Sequence, residues 1–354
     1  GIGQLCGSWA AGGFREEQYL ISLRPVLNVL GFLYVGLATA MLIPAIVDVA
    51  QKNADWQAFV FSALLTGMVG MLLSLAVSGA LRDGLDIRQT FILTTLAWAT
   101  LPIFGALPFL WLGIGYADAV FEAVSGFTTT GSTVLTGLDG LPPGLLVWRS
   151  IMQWMGGVGI IVMAIVLLPF LKIGGMQLFQ SESSDRSEKI VSRSVELIRL
   201  IGLAYLFVTV LCIAAYLVTG IELFDAFNHA LTTIATGGFS THDVSFGHFK
   251  NPATAWVAVV FMVIGALPFV LIVQALRGHP RQLARDPQVR ALLGFLVGPL
   301  LIGPLADAFG IRSALMVLAP TIGLSLLLAP CLTRAEARRG ESNLARDEAC
   351  GDTV

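Results

Sequence analysis

The chain has 354 residues, of which 56% are hydrophobic and 12% charged, and its net charge is −2. Soluble domains carry about 25% charged residues, so half that share excludes an ordinary soluble protein and indicates a membrane protein. The net charge itself says little about partners, and we expect no nucleic-acid partner. The four cysteines are too scattered for a disulfide framework or a cysteine-based metal site.

Apolar runs follow one another along the chain, and a helix that crosses a bilayer needs about 20 such residues. The first run is too long for a cleavable signal peptide, and runs at 25–50 and 57–80 predict a first pair of spanning helices, called the leader below. Charged segments separate the later runs. The predicted divisions are an uninterpreted N-terminal segment (1–24), the leader (25–88), a first repeat (89–171), a cytoplasmic loop (172–192), a second repeat (193–276), a cytoplasmic linker (277–290), two apolar spans (291–332) and a polar tail (333–354).

The middle of the chain contains one arrangement twice: a span, a short helix, a turn rich in threonine and glycine, and a second span. These segments are predicted at 89–112, 116–133 and 145–171, and again at 194–219, 222–240 and 254–276. At an offset of 107 positions, Asp118 matches Asp225 and Gly131 matches Gly238. One such turn is only a turn, but repetition at matched positions carries more weight. Non-helical backbone at membrane depth is tolerated only beside protein or a water-filled cavity, so the repeat predicts the lining of a pore.

The basic residues predict the orientation of the chain. Cytoplasmic segments carry the excess of lysine and arginine. With the N-terminus inside, only Lys52, Arg149 and Lys250 fall in outer segments. Both threonine–glycine turns then enter the membrane from outside.

The turns have the composition of a cation filter. Selectivity filters replace the water shell of a cation with backbone carbonyls, and Gly131, Gly237 and Gly238 allow the positive φ angles that direct carbonyls inward. Asp118 and Asp225 are predicted as N-caps of the short helices. Each helix then points its partially negative C-terminal end at the pore, which favours a cation.

One acidic residue, Glu122, lies within the first short helix. An ionisable group at membrane depth is a functional candidate. Alternatively, Glu122 pairs with a neighbour or hydrogen-bonds the loop backbone. This structural interpretation is favoured, because the matching position of the second unit holds His229 and the charge is not repeated.

Other chemical motifs are weak. His229, His242 and His248 with Asp243 fit no standard metal-ligand spacing and are interpreted as solvated loop residues. The glycine-rich run 154–159 lacks the lysine of a phosphate loop and is interpreted as close helix packing. The sequence contains no recognisable nucleophile–base pair or nucleotide loop, so we do not expect an enzyme.

Four motifs together resemble a known family. They are 121–131 (FEAVSGFTTTG), 148–159 (WRSIMQWMGGVG), 174–179 (GGMQLF) and 228–241 (NHALTTIATGGFST). In this order they are similar to TrkH-type potassium-uptake membrane subunits of the Trk/Ktr/HKT superfamily, and the similarity runs over 23–290. The resemblance implies an all-α polytopic membrane protein. A two-helix leader precedes repeats of helix, pore half-helix, filter loop and helix, of which this chain has two of the usual four.

The resemblance also implies site residues, a function and partners. The implied filter consists of Thr129, Thr130, Gly131, Thr236, Gly237 and Gly238, and the implied support of the pore helices of Asp118, Glu122 and Asp225. In this superfamily a glycine at the first filter, here Gly131, goes with preference for potassium over sodium. The implied function is potassium transport, channel-like or as a symporter, through a multi-pass protein of the bacterial inner membrane that needs no cofactor. The implied partners are a cytosolic TrkA-like nucleotide-binding ring on the loop 172–193, a second copy of the chain, and membrane lipid.

The end of the chain departs from this family. The resemblance implies a third and a fourth repeat, whereas 303–315 is similar to the G-x-L-A-D-x-x-G-x-R loop signature of major facilitator transporters. Two alternatives therefore stay open. One is a non-conducting fragment or chimera, and the other is a secondary transporter of the facilitator class.

Overall fold

The computed structural model describes residues 22–77, 85–171 and 186–296, and within them the side chains of all but 165–171 and 186–195. Over these ranges the regular structure is entirely helical. The helices are α1 (Arg24–Ala50), α2 (Trp56–Ala76), α3 (Ile87–Gly105), α4 (Leu107–Trp111), α5 (Tyr116–Phe127), α6 (Pro143–Leu171), α7 (Arg186–Val218), α8 (Leu223–Ile234), α9 (Pro252–Ala266), α10 (Phe269–Leu276), α11 (Pro280–Arg285) and α12 (287–296). With α3 and α4 taken as one span, five candidate spans are long and apolar enough to cross a membrane. The predicted all-α class is confirmed for the described residues.

The leader is a hairpin of α1 and α2 that approach closely at two glycines. A Cβ on Gly31 would lie 2.7 Å from the carbonyl oxygen of Gly70, and a Cβ on Gly70 would lie 2.7 Å from that of Gly31. Apolar helices in lipid gain their attraction from close packing, which small residues permit. These glycines therefore set the distance between the two leader helices.

A buried carboxylate joins the leader to the first repeat. Asp48, near the end of α1, is fully buried, and its Oδ1 accepts a hydrogen bond of 2.7 Å from the Gly144 amide in the first turn of α6. The first amides of a helix have no acceptor within the helix. Asp48 therefore satisfies one of them from 96 positions away.

Each repeat places a 12-residue helix between longer ones. The helix α5 lies between α4 and α6 along the chain, and α8 lies between α7 and α9. Each short helix fully buries two alanines at matched positions, Ala119 and Ala123 in α5 and Ala226 and Ala230 in α8. The helix α6 packs against both short helices. The repeated order predicted from the sequence is therefore present in the fold.

The last span of the second repeat is broken. The sequence predicts one span over 254–276, but α9 and α10 meet there at an angle of 98°. Pro268 lies at the break, where it lacks an amide and clashes with the preceding turn. Leu267 before it has an extended ψ of 148°, as residues before proline prefer. The predicted span at 254–276 therefore consists of two helices, α9 and α10, joined at a sharp bend.

The chain divides after Val273 into two compact units. Among its described residues the second unit contains α11 and α12. Asp286 begins α12, and its Oδ1 accepts hydrogen bonds of 2.8 and 3.2 Å from the amides of Gln288 and Val289. The facilitator-like segment 303–315 lies outside the described residues, as does 172–185 of the predicted cytoplasmic loop.

Candidate functional site

The two threonine–glycine turns have the same backbone hydrogen bonds. Each short helix ends in a Schellman motif, in which two amides beyond the helix bond back to carbonyls of its last turn. The four bonds are Thr129 N to Gly126 O (2.9 Å), Thr130 N to Ser125 O (3.0 Å), Thr236 N to Thr233 O (3.0 Å) and Gly237 N to Thr232 O (2.9 Å). Donors and acceptors keep the offset of 107 positions throughout. The sequence repeat is thus a repeat of backbone conformation.

Each turn holds a threonine in the left-handed region. Thr129 has φ 55° and Thr236 has φ 52°, and two residues later Gly131 has φ 77° and Gly238 has φ 83°. Glycine adopts such angles easily, but a β-branched residue there is an outlier. Residues in such unfavourable backbone regions cost about 1–3 kcal/mol each and cluster at functional sites. Strain at two matched positions indicates that the turns do more than connect helices.

The two turns lie directly against each other. A Cβ on Gly131 would lie 1.8 Å from the carbonyl oxygen of Gly237, so the backbones leave no room for a side chain. Gln153 of α6 lies behind the second turn. Its Oε1 accepts a hydrogen bond of 3.1 Å from the Phe239 amide, and its buried Nε2 has no partner among the described residues. The predicted turns are therefore brought together, with α6 as their common support.

Glycines let the following long helix reach the end of each short helix. A Cβ on Gly156 of α6 would lie 2.0 Å from the carbonyl oxygen of Phe127, and one on Gly265 of α9 would lie 2.5 Å from that of Ile234. Phe127 and Ile234 are the last residues of α5 and α8. The interpretation of the run 154–159 as close helix packing is confirmed at Gly156.

The predicted N-caps of the short helices are wrong by three positions. The N-cap residues are Gly115 and Glu222, and Asp118 and Asp225 lie in the first turn. An acidic residue suits either place, because both lie at the partially positive end of the helix. Asp118 is exposed, whereas Asp225 Oδ1 accepts a hydrogen bond of 2.7 Å from the Thr241 hydroxyl.

Glu122 of α5 holds the segment that follows the first turn. Its side chain is fully buried, and its Oε1 accepts hydrogen bonds from the Thr133 hydroxyl and, at 2.7 Å, from the Val134 amide. Its Oε2 lies 3.2 Å from Arg149 Nε. A buried charge is tolerated when it is paired and hydrogen-bonded. These contacts agree with the structural interpretation of Glu122.

Arg149 connects the two repeats. From the sequence it is counted among the basic residues of the outer side, and in the structure it lies within α6 and is 1% exposed. Its Nη1 donates a hydrogen bond of 3.0 Å to the carbonyl oxygen of Ser240. Its guanidinium lies 4.1 Å from the centre of the Phe239 ring, within the range of a cation–π contact. One side chain thus ties the first short helix, through Glu122, to the segment after the second turn.

The second repeat has a neutral counterpart of the Glu122 contact. His229, which matches Glu122, is fully buried. Its Nε2 lies 3.1 Å from the Ser240 hydroxyl and its Nδ1 lies 2.9 Å from the carbonyl oxygen of Asp225. Ser240 matches Thr133, so in each repeat the short helix holds the hydroxyl that follows the turn. The interpretation of His229 as a solvated loop residue is wrong.

Beyond the turns, the loops of the two repeats meet at His242. Its Nδ1 contacts the Asp139 carboxylate, and its Nε2 lies 3.2 Å from Asp225 Oδ2. Its ring stacks on that of His248, with centroids 3.5 Å apart. Burial lowers the pKa of His242, but hydrogen bonds to the two carboxylates outweigh burial and raise that pKa above its usual value. The hydrogen bond from His242 lowers the pKa of Asp139.

Sequence reasoning found the turns and missed the side chains that hold them. Arg149 and Gln153 lie inside the motif 148–159, and from the sequence neither of them is assigned a contact with the turns. A signal was available, because polar and ionisable residues at membrane depth are costly and mark contacts that matter. Asp139 gave no such signal, since it lies in a polar loop.

Two matched short helices with their turns, set between long apolar helices, define an all-α polytopic membrane protein. A family profile described as "TrkH: Cation transport protein" matches residues 56–299. The chain therefore belongs to the TrkH family, which is a family of transport proteins rather than enzymes.

Named relatives give the same assignment. The chain is 44% identical over 277 residues to "Trk system potassium uptake protein TrkI" of Halomonas elongata, covering 77% of this chain and 56% of the relative. It is 35% identical over 280 residues to "Trk system potassium uptake protein TrkH" of Escherichia coli K12, covering 77% and 57%. The crystal structure of the potassium transporter TrkH from Vibrio parahaemolyticus matches with a TM-score of 0.71 at 33% identity, covering 83% of this chain and 62% of that one. The chain thus spans somewhat more than half the length of the curated relatives it matches.

Proposed function

We propose that the chain provides the membrane part of a potassium-uptake pathway in the bacterial inner membrane, with potassium bound at the two threonine–glycine turns. Membership of a cation transport family supports this proposal. The observation that carries it is the contact of the turns at Gly131 and Gly237, because the segments of one filter must face a common axis.

In the proposed filter, peptide carbonyl oxygens replace the water shell of the ion. The filter residues are Thr129, Thr130, Gly131, Thr236, Gly237 and Gly238. The C-terminal ends of α5 and α8 each contribute a partial negative charge of about half an elementary charge. Potassium is the transported ion in this proposal, and no cofactor takes part.

The proposal covers part of a longer pathway. Because the chain spans 56–57% of the relatives' length, its two repeats supply two of the four filter segments that the family resemblance implies. We therefore expect full conduction only when the other two segments are present.

Rubidium uptake by cells that lack other potassium-uptake systems tests this function. The chain is expressed alone and together with the C-terminal part of Halomonas elongata TrkI that lies beyond the matched region. Uptake is expected in the second culture, and uptake in the first would show that two repeats suffice. If neither culture takes up rubidium although the chain reaches the membrane, the proposal is wrong.

Gly131→Ala is the diagnostic variant for this assay. The added methyl group would lie 1.8 Å from the Gly237 carbonyl oxygen, at a residue with φ 77°, so the turn must shift. Rubidium uptake is expected to fall to background. The matched control is Gly202→Ala in α7, where a Cβ meets nothing within 4 Å and uptake is retained.

The proposed partners are a TrkA-like nucleotide-binding ring and a second copy of the chain. The segment 174–189 combines an apolar patch with dense charge, and loops of this kind often carry binding sites. Capture of a purified TrkA-like protein by the detergent-solubilised chain tests the docking site. Replacement of 174–179 by a glycine–serine linker is expected to abolish capture, and unchanged capture would place the partner elsewhere.

A further inference from the structure

Three side chains with metal-binding groups meet where the loops after the two turns come together. Asp139 lies in a 3₁₀ turn that follows the first threonine–glycine turn. His242 and His248 lie in the loop that follows the second, and His248 ends a 3₁₀ turn there. One ligand atom of each residue lies within 4.8 Å of the others. We call these three residues the loop cluster.

The contacts of His242 leave one of its nitrogens available to a metal ion. Its Nε2 lies 3.2 Å from Asp225 Oδ2, and a neutral imidazole that donates from Nε2 has a lone pair on Nδ1. This Nδ1 faces the Asp139 carboxylate. A metal ion bound there would replace the proton that Nδ1 shares with the Asp139 carboxylate. A carboxylate that orients a ligating histidine, as Asp225 does here, is the usual outer partner at a metal site.

His248 supplies a third ligand from an exposed position. Its ring is parallel to that of His242, with an interplanar angle of 1°. One of its ring nitrogens already lies within 4.8 Å of the ligand atoms of Asp139 and His242. Asp139 is 53% exposed, so an ion and a water ligand have access from solvent.

We propose that Asp139, His242 and His248 bind a divalent first-row transition-metal ion of the Zn²⁺ class, and that this ion joins the loops of the two repeats. Zinc takes histidine nitrogen and carboxylate oxygen in tetrahedral sites, and three protein ligands leave a fourth position for water. Magnesium and calcium prefer oxygen ligands throughout, so the two imidazoles select against them. The site stands independently of potassium transport, because metal binding is measured directly.

Metal titration of the purified full chain in detergent, at neutral pH, tests the proposal. Zn²⁺ binding is followed by calorimetry, and Co²⁺ binding by the visible absorption of a tetrahedral cobalt site. We expect one ion per chain, with Co²⁺ displaced by Zn²⁺. His248→Ala and Asp139→Asn each remove a ligand and are expected to weaken binding at least about tenfold, the lower end of the effect known for outer partners alone.

His279→Ala is the matched control, because His279 is also exposed and lies outside the loop cluster. Its affinity is expected to equal that of the unmodified chain. Gel filtration shows whether each variant is folded, and the exposed His248 is the substitution that folding tolerates best. The proposal is overturned if no saturable binding occurs, or if folded His248→Ala and Asp139→Asn bind the metal as tightly as the control.

Discussion

The two repeats share one backbone and hold it with different side chains. In the first turn, the Thr128 hydroxyl lies 2.7 Å from the Val124 carbonyl oxygen and 2.8 Å from the Thr130 hydroxyl. In the second turn, Ala235 and Gly237 occupy the positions that match these threonines, so those hydroxyl contacts have no counterpart. The geometry of the turn is therefore set by the helix end and its Schellman hydrogen bonds. The Thr128 and Thr130 hydroxyls add further hydrogen bonds in the first repeat.

The charges differ as well. The first repeat holds its turn with a buried carboxylate, Glu122, whose arginine partner also reaches the second repeat. The second repeat uses the imidazole of His229, with a hydroxyl and a carbonyl as partners. This difference predicts that the side-chain contacts of the first repeat contribute more stability, and that Arg149 contributes to both repeats. The variants below test that asymmetry.

Removal of the arginine is expected to have the largest effect. Arg149→Met leaves the Glu122 carboxylate buried without its partner, which costs about 3–5 kcal/mol. His229→Gln disturbs hydrogen bonds between groups without a formal charge pair and costs about 1–3 kcal/mol. Thermal unfolding of the detergent-solubilised protein, read from the remaining monodisperse gel-filtration peak, compares the two.

The double variant Glu122→Gln with Arg149→Met serves as the control for charge. Removing both charges avoids the unpaired carboxylate, so part of the lost stability is expected to return. Equal losses in Arg149→Met and His229→Gln would contradict the asymmetry of the repeats.

The glycines of the two threonine–glycine turns give the next largest difference. Alanine at a left-handed position costs about 1–2 kcal/mol, and this applies at both Gly131 and Gly238. At Gly131 the new methyl group also meets the Gly237 backbone, which adds about 1–3 kcal/mol of overpacking. In the same thermal unfolding assay, Gly131→Ala is expected to be less stable than Gly238→Ala. Equal stability of the two variants would mean that the turns are not in contact.

Substitutions at Gly156 and Gly265 test whether α6 and α9 pack equally closely against the ends of α5 and α8. Gly156→Ala places a methyl group 2.0 Å from a backbone oxygen and Gly265→Ala places one at 2.5 Å. Overpacking of this kind costs about 1–3 kcal/mol, with the larger loss expected at Gly156. Gly202→Ala, which adds a methyl group in open space, controls for the substitution itself. A Gly265→Ala loss larger than that of Gly156→Ala would reverse the comparison.

The strained threonines should show the smallest effect, and it should be equal in both repeats. Thr129→Gly and Thr236→Gly relieve a left-handed conformation worth about 1–2 kcal/mol, while glycine costs about 0.5–1 kcal/mol in chain entropy. A net stabilisation between about 0 and 1.5 kcal/mol is expected from both. Unequal shifts in unfolding temperature would show that the matched backbones are not energetically equivalent.

Much of the fold was predictable because its signals are local. Apolar length predicts the spans, and the repeated threonine–glycine segments predict both short helices and their turns. Proline disfavours the interior of a helix, but Pro44 and Pro102 lie inside α1 and α3, so Pro268 alone did not predict the break. The contact of Arg149 with Ser240 bridges 91 positions and that of His242 with Asp139 bridges 103. Such pairings depend on how the helices pack, and no local pattern records them.

The matched positions Glu122 and His229 show a second limit of prediction from the sequence. The loss of charge at the matching position indicated that the role was not repeated. The structure shows that the contact is repeated, because a carboxylate and an imidazole both reach the hydroxyl after the turn. Residue type alone therefore understates the symmetry of the two repeats.

The hydrogen bond from Gly144 to Asp48 bears on how the protein assembles. Because α1 is synthesised before α6, the Asp48 carboxylate is already in place when α6 inserts. It is then available as the acceptor for the Gly144 amide in the first turn of α6. The α1–α2 hairpin thus supplies a hydrogen-bond acceptor for the start of α6. In a shortened chain that begins after α2, the Gly144 amide would lack this acceptor.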